Sequence, residues 1–140
     1  MIVVDTSVAV PAALPEHVAH HAVLRALPRG KTRAIAHVAL ETFSVLTRLP
    51  PAQRVGADVA WGYLQSRLTF PPLVLAAKAY AELLEVAAAE VVTGGAIYDA
   101  VVAATAVEAG ATLLTRDRRA VITYQRLGAS YRLVADAQGG

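Results

Sequence analysis

The chain of 140 residues has no cysteine. Disulfide bridges and thiolate metal sites are therefore excluded, and the composition fits a reducing cytoplasm. No uninterrupted apolar run reaches the ~18 residues of a membrane-spanning helix. The N-terminus lacks the basic region, apolar run and cleavage site of a secretory leader, so export is not expected. Strong charge of either sign is also missing. The net charge is +2 and the isoelectric point about 9.2, which permits a nucleic-acid partner without requiring one. No linker, tandem repeat or low-complexity tract divides the chain, and one domain over 1–140 with a real core is the simplest organisation.

What is abundant is apolar residue. Its share is 56%, above the ~45–50% of average domains. Alanine accounts for much of the surplus, and some apolar surface is left over for a partner chain. Ile2-Val3-Val4 read as a short buried strand. Over 16–27, Val18, Ala22, Val23, Ala26 and Leu27 recur with a helical period until 28–31 breaks it. Residues 34–48 form a mostly apolar helix through Val38, Leu40, Phe43, Val45 and Leu46, ended by Leu49-Pro50-Pro51. A further helix spans 52–68, with Val55, Val59, Tyr63 and Leu68 at helical spacing. Leu73-Val74-Leu75 is a candidate strand and 76–90 a helix; 93–95 is a turn. A helix over 97–109 ends at Gly110, Thr112–Thr115 is a second clear buried strand, 118–126 a short helix and 131–134 a last strand.

Continuously apolar strands alternating with helices indicate an α/β chain with a parallel sheet covered on both faces. Such sheets place their chemistry beyond the carboxyl ends of the strands. Asp5 and Asp117 each stand just past a strand end, and so on one rim. For either, a helix N-cap is the alternative reading. Two more acids keep unusual company. Glu41 is the only acid between Glu16 and Asp58, and Asp99 the only one between Glu90 and Glu108. The alternatives are a mid-helix surface glutamate for Glu41 and a favourable first-turn charge for Asp99. The remaining acids, Asp136 among them, read as solvated surface. An acid in an apolar helical face is costly to bury unless it is paired or metal-bound. Four converging carboxylates would repel one another, and a divalent cation relieves that. Oxygen donors without cysteine suit Mg²⁺ or Mn²⁺ rather than zinc.

These blocks, "VVDTSV" at 3–8, Glu41, "YDAVVAATA" at 98–106 and "LLTRD" at 113–117, resemble the PIN domain family and within it VapC-type toxins of bacterial toxin–antitoxin pairs. The resemblance covers nearly the whole chain. It implies a three-layer α/β/α sandwich with a central parallel sheet and Mg²⁺- or Mn²⁺-dependent endoribonuclease activity. It further implies a cognate antitoxin as partner and a homodimer. The family acids correspond to Asp5, Glu41, Asp99 and Asp117. The family often carries an acid or Asn after the last of these; Arg118 and Arg119 stand there instead, which leaves the number of metal ions open.

On this reading Asp5 and Asp99 are the principal metal ligands, and Asp117 binds directly or through water. Glu41 is an outer ligand or a base. The hydroxyls of Thr6 and Thr115 hold a carboxylate or the substrate phosphate, or else cap strand ends. Arg116 and Arg118 flank Asp117 where phosphates would arrive and are candidate RNA contacts; solvated surface or an antitoxin ion pair is the alternative. Arg25, Arg29, Lys31 and Arg33 form a second basic cluster. Trp61 and Tyr63 read as packing or interface, His17, His20 and His21 as an exposed helix face, and His37 as an i, i+4 neighbour of Glu41. Two other classes compete with a nuclease. A phosphoacceptor receiver wants adjacent acids after its first strand and a late lysine, whereas Asp5 is single and the only lysines are Lys31 and Lys78. A silent binding module would not need all four acids.

Overall fold

The structure is a computed structural model that describes residues 1–135. Asp136 lies outside the described residues. Short apolar runs form the central strands β1 and β4, because both of their faces are covered. β1 (Ile2–Val4) runs parallel to β4 (Thr112–Thr115), with Val3 opposite Leu113 and Val4 opposite Leu114. β5 (Ser130–Leu133) pairs in parallel with the other side of β4. A second parallel ladder joins β2 (Thr32–Ile35) to β3 (Leu68–Leu73), with an irregularity between Arg33 and Ile35. β1 and β2 lie side by side. The strands therefore follow one another as β3-β2-β1-β4-β5, although among the described residues the ladders close separately as β1-β4-β5 and β2-β3.

Among the described residues seven helices flank this sheet: α1 (Thr6–Ala13), α2 (His20–Ala26), α3 (Ala36–Thr47), α4 (Ala57–Arg67), α5 (Ala79–Ala89), α6 (Ala96–Glu108) and α7 (Arg118–Arg126). α1 packs on α2, α3 and α4, while α6 packs on α5 and α7. Val3, Val8, Val23, Ala103 and Leu113 lose all solvent contact at the centre of the core. α6 and α7 end alike. Gly110 and Gly128 take positive φ, 64° and 73°. Ala111 N–H then reaches Ala106 O, and Ala129 N–H reaches Tyr124 O, both at 2.9 Å. This closure favours glycine because an L side chain is strained there. It turns the chain directly into β4 and β5.

Three departures from the sequence reading have plain causes. α1 shows no readable period, since Pro11 lies inside it and four of its eight residues are alanine or proline. β2 takes Ala34 and Ile35, where the reading began a helix, and α3 starts at Ala36. The strand expected at 73–75 lies earlier, over Leu68–Leu73, and contains Pro71 and Pro72. Proline donates no ladder hydrogen bond, so it is tolerated there because β3 is an edge strand, paired with β2 alone.

Candidate active site

β1 and β4 end in register, and Asp5 N–H continues the ladder to Leu114 O at 3.2 Å. The chain then turns into α1. Asp5 occupies the N-cap position, but its side chain makes no capping bond. It points inward, 5% exposed. Oδ1 accepts from Ser7 Oγ at 2.5 Å and Oδ2 from Tyr124 Oη at 2.7 Å. Burial pushes the Asp5 carboxyl above its ordinary value, and the charge of Asp117 adds to this; the hydroxyls of Ser7, Thr115 and Tyr124 pull it back. Burial and the neighbouring Asp5 hold the Tyr124 phenol far above its usual range, so it is neutral and donates.

Asp117 does cap its helix: Oδ1 accepts from Arg119 N at 2.9 Å and Ala120 N at 3.3 Å. The capping alternative thus describes one oxygen of this carboxylate. Its strand end is locked to that of Asp5. Ser7 Oγ accepts from Arg116 N at 2.8 Å and lies 3.4 Å from Thr115 Oγ1, which accepts from Asp117 N at 3.0 Å.

Asp99 sits in the first turn of α6. Burial, then repulsion from Asp117, Asp5 and Glu41, pushes its carboxyl up to about 6, with a small opposing pull from His37. Glu41 projects from α3, and His37 Nε2 lies 3.3 Å from its Oε2. The His37 ring stacks on Tyr98, centroids 5.3 Å apart and planes within 5°.

Asp5, Glu41, Asp99 and Asp117 thus line one cleft of about 50 Å³, together with Thr6, Ser7, His37, Tyr98, Val102 and Tyr124. Among the described residues no lysine or arginine lines it. The repulsion felt at Asp99 is what an unneutralised oxygen cluster should feel, and it fits a hard dication. Among the described residues no three His, Asp or Glu groups close into a finished cage. Mg²⁺ keeps several waters and takes few carboxylates directly.

Several expectations are corrected. Glu41 is not buried in an apolar face; its side chain is 44% exposed, because the same turn of α3 leaves Leu40 at the surface. Thr115 is fully buried; its hydroxyl serves the Asp5 carboxylate and the Asp117 backbone, so of its two readings the carboxylate stands and the phosphate does not. Arg116 is half-buried, and its charge, after burial, helps hold His17 below its ordinary value. Arg118 and Arg119 are exposed on the first turn of α7 and do not line the cleft. The three histidines share no exposed face: α2 begins at His20, which is buried and donates from Nδ1 to Pro11 O at 2.7 Å. Arg33 leaves the basic cluster to donate to Pro71 O at 2.7 Å. Trp61 packs edge-on against Phe70. Ser7 and Tyr124 are the residues that sequence reasoning missed. A buried acid needs donors, but no local pattern says which fold partners supply them.

The raised Asp99 pKa has a consequence for stability. The folded chain binds this proton more tightly than the unfolded chain, so the contribution is fully present below the ordinary value of 3.8 and is lost progressively as pH rises through about 6. The metal-free protein is therefore expected to melt higher near pH 5 than near pH 7, by roughly a few degrees after solvent screening. Asp99→Asn should shrink the slope, leaving the part that the raised Asp5 carboxyl contributes. A slope unchanged in Asp99→Asn would assign it to other groups.

The model of the PIN domain family matches residues 2–125. Ribonuclease VapC40 of Mycobacterium tuberculosis is 49% identical over 134 residues, covering 96% of this chain and 99% of the relative. Ribonuclease VapC27 of the same species is 42% identical over 127 residues, covering 91% and 92%. Among solved structures, FitAcB from Neisseria gonorrhoeae shares the fold at a TM-score of 0.62, with 21% identity over 94% of this chain and 96% of that one. These likenesses leave no place for the receiver alternative. From its acid blocks, its parallel sheet and these relatives, the chain belongs to the PIN domain family.

Proposed function

We propose that the chain is a metal-dependent endoribonuclease of the toxin class, neutralised by a separate antitoxin protein. One observation carries the reading: carboxylates from four distant segments line a single cleft that no lysine or arginine of its lining neutralises. The names of the curated relatives supply the ribonuclease class.

Mg²⁺ or Mn²⁺, when bound, activates water and offsets charge on the phosphate. Asp5 and Asp99 would hold it, with Asp117 contributing the oxygen not spent on its helix cap. Ser7 and Tyr124 aim both Asp5 oxygens and favour the ionised form. Glu41 stands at the exposed rim beside His37 and would serve as an outer ligand or as the base that takes a proton from the attacking water. Thr6 lines the cleft and is the hydroxyl available to substrate. Arg118, exposed beside Asp117, is the proposed steering charge for RNA.

The partners proposed are RNA, an antitoxin and a second copy of the chain. Exposed Leu40, Val74, Leu84 and Val107 provide apolar surface for protein partners. Among the described residues no helix is long and apolar enough to cross a membrane, and a cytoplasmic site of action fits the absence of cysteine.

The test is direct. Purified protein should cleave RNA with Mg²⁺ or Mn²⁺, stop on addition of EDTA and resume when the ion is restored. Mapping the new ends in total RNA identifies the target. Cleavage that persists through chelation would remove the metal from the reading, and no cleavage under any ion would remove the nuclease.

A further inference from the structure

We infer that Tyr98, backed by His37, is a stacking site for one nucleobase adjoining the phosphate in the carboxylate cleft. This rests on the ribonuclease reading above. The two rings rise from the first turns of α6 and α3, beside Asp99 and one turn before Glu41. They form a shared wall. On one side they line the carboxylate cleft; on the other they line an apolar pocket of about 300 Å³, with Leu40, Val74 and Val101. His37 covers one face of the Tyr98 ring, yet Tyr98 remains 55% exposed, so the other face is open. Core packing does not account for this ring, because α6 buries Ala100, Val102 and Ala103 instead.

Charge supplies the reason for such a site. RNA phosphates approaching four carboxylates are repelled, and no lysine or arginine among the described residues lines that cleft. Part of the affinity must come from a contact without charge. A phosphate seated in the cleft carries its neighbouring base toward the adjoining wall, and stacking there tolerates any base. The pocket offers little hydrogen-bond reading: the hydroxyl of Thr105 donates to Val101 O, within its own helix. Discrimination should therefore follow stacking area, purines above pyrimidines. The stack orders the two rings against each other before substrate arrives.

The experiment compares the wild type with Tyr98→Ala, Tyr98→Leu and Tyr98→Phe. The probe is a short oligoribonucleotide carrying a fluorescent adenine analogue, bound with Ca²⁺ and cleaved with Mg²⁺. Tyr98→Ala and Tyr98→Leu should weaken binding and raise KM by about tenfold or more, within the range for one stacked base. The fall in kcat should be smaller, quenching of the analogue should be lost, and the salt dependence of binding should keep its slope. Tyr98→Phe should restore affinity and quenching. Leucine keeps the bulk of the side chain, so the result does not depend on the alanine variant folding. Affinity and quenching unchanged in Tyr98→Leu overturn the inference while the nuclease stands. So does a change of oligomeric mass without a change in RNA affinity. A wild type that neither binds nor cleaves RNA overturns both.

Discussion

Asp99→Asn should lower RNA cleavage by at least about a hundredfold, the loss expected when a carboxylate that positions an ion or a proton is neutralised. The same substitution should raise the melting temperature of the metal-free protein at neutral pH. Both effects come from one cause. The environment of Asp99 disfavours its charge through burial and three neighbouring acids. Without a cation that charge is a burden; in the proposed site it would be what retains the cation. Asparagine preserves shape and removes the repulsion, so stability rises while function falls. Saturating Mg²⁺ should stabilise the wild type more than the variant, reversing their order. Thermal melts with and without Mg²⁺, beside a cleavage assay, measure both. An Asp99→Asn protein that cleaves at the wild-type rate, or that melts lower than wild type without metal, sinks the assignment.

Tyr124→Ala should cost about 3–5 kcal/mol, enough to abolish a cooperative unfolding transition in a domain of marginal stability. The ring is 1% exposed and packs in the main core. Tyr124→Phe separates packing from polarity. It keeps the ring but strips Asp5 Oδ2 of its donor, and should cost about 1.5–3 kcal/mol as a lost hydrogen bond to a buried charge. The Asp5 carboxyl should then rise further, because one of the hydroxyls that favour its ionised form is gone. Chemical denaturation of both variants without metal gives the numbers. A phenylalanine variant as stable as wild type would mean that Asp5 is already protonated in the metal-free fold.

Some of this was legible before any coordinates. β1, β4 and α6 are announced by uninterrupted apolar runs and by Gly110, whose positive φ stops one helix and launches the next strand. That two acids follow two such strands is what places Asp5 and Asp117 on one rim. α1 and β2 were hidden because Pro11 and the Ala34-Ile35 pair suit more than one element. Glu41 was found for the wrong reason: the apolar residues around it were taken to bury it, whereas Leu40 beside it is 72% exposed. Thr115 keeps the carboxylate part of its reading, through Asp5, and loses the phosphate part because the residue has no solvent contact. Ser7 and Tyr124 could not be read at all. Their importance lies in reaching Asp5, and Tyr124 does so across 119 positions of chain.

The Pro71-Pro72 pair on β3 has an effect beyond its own ladder. An outermost strand with a full row of free donors invites any extended segment to add to it, the first step toward fibrils. Two consecutive imino acids interrupt that row, and Arg33 already occupies the Pro71 carbonyl. Along this rim the molecule offers a stranger no template. Copies that meet here must do so through side chains, which closes this edge of the sheet to extension.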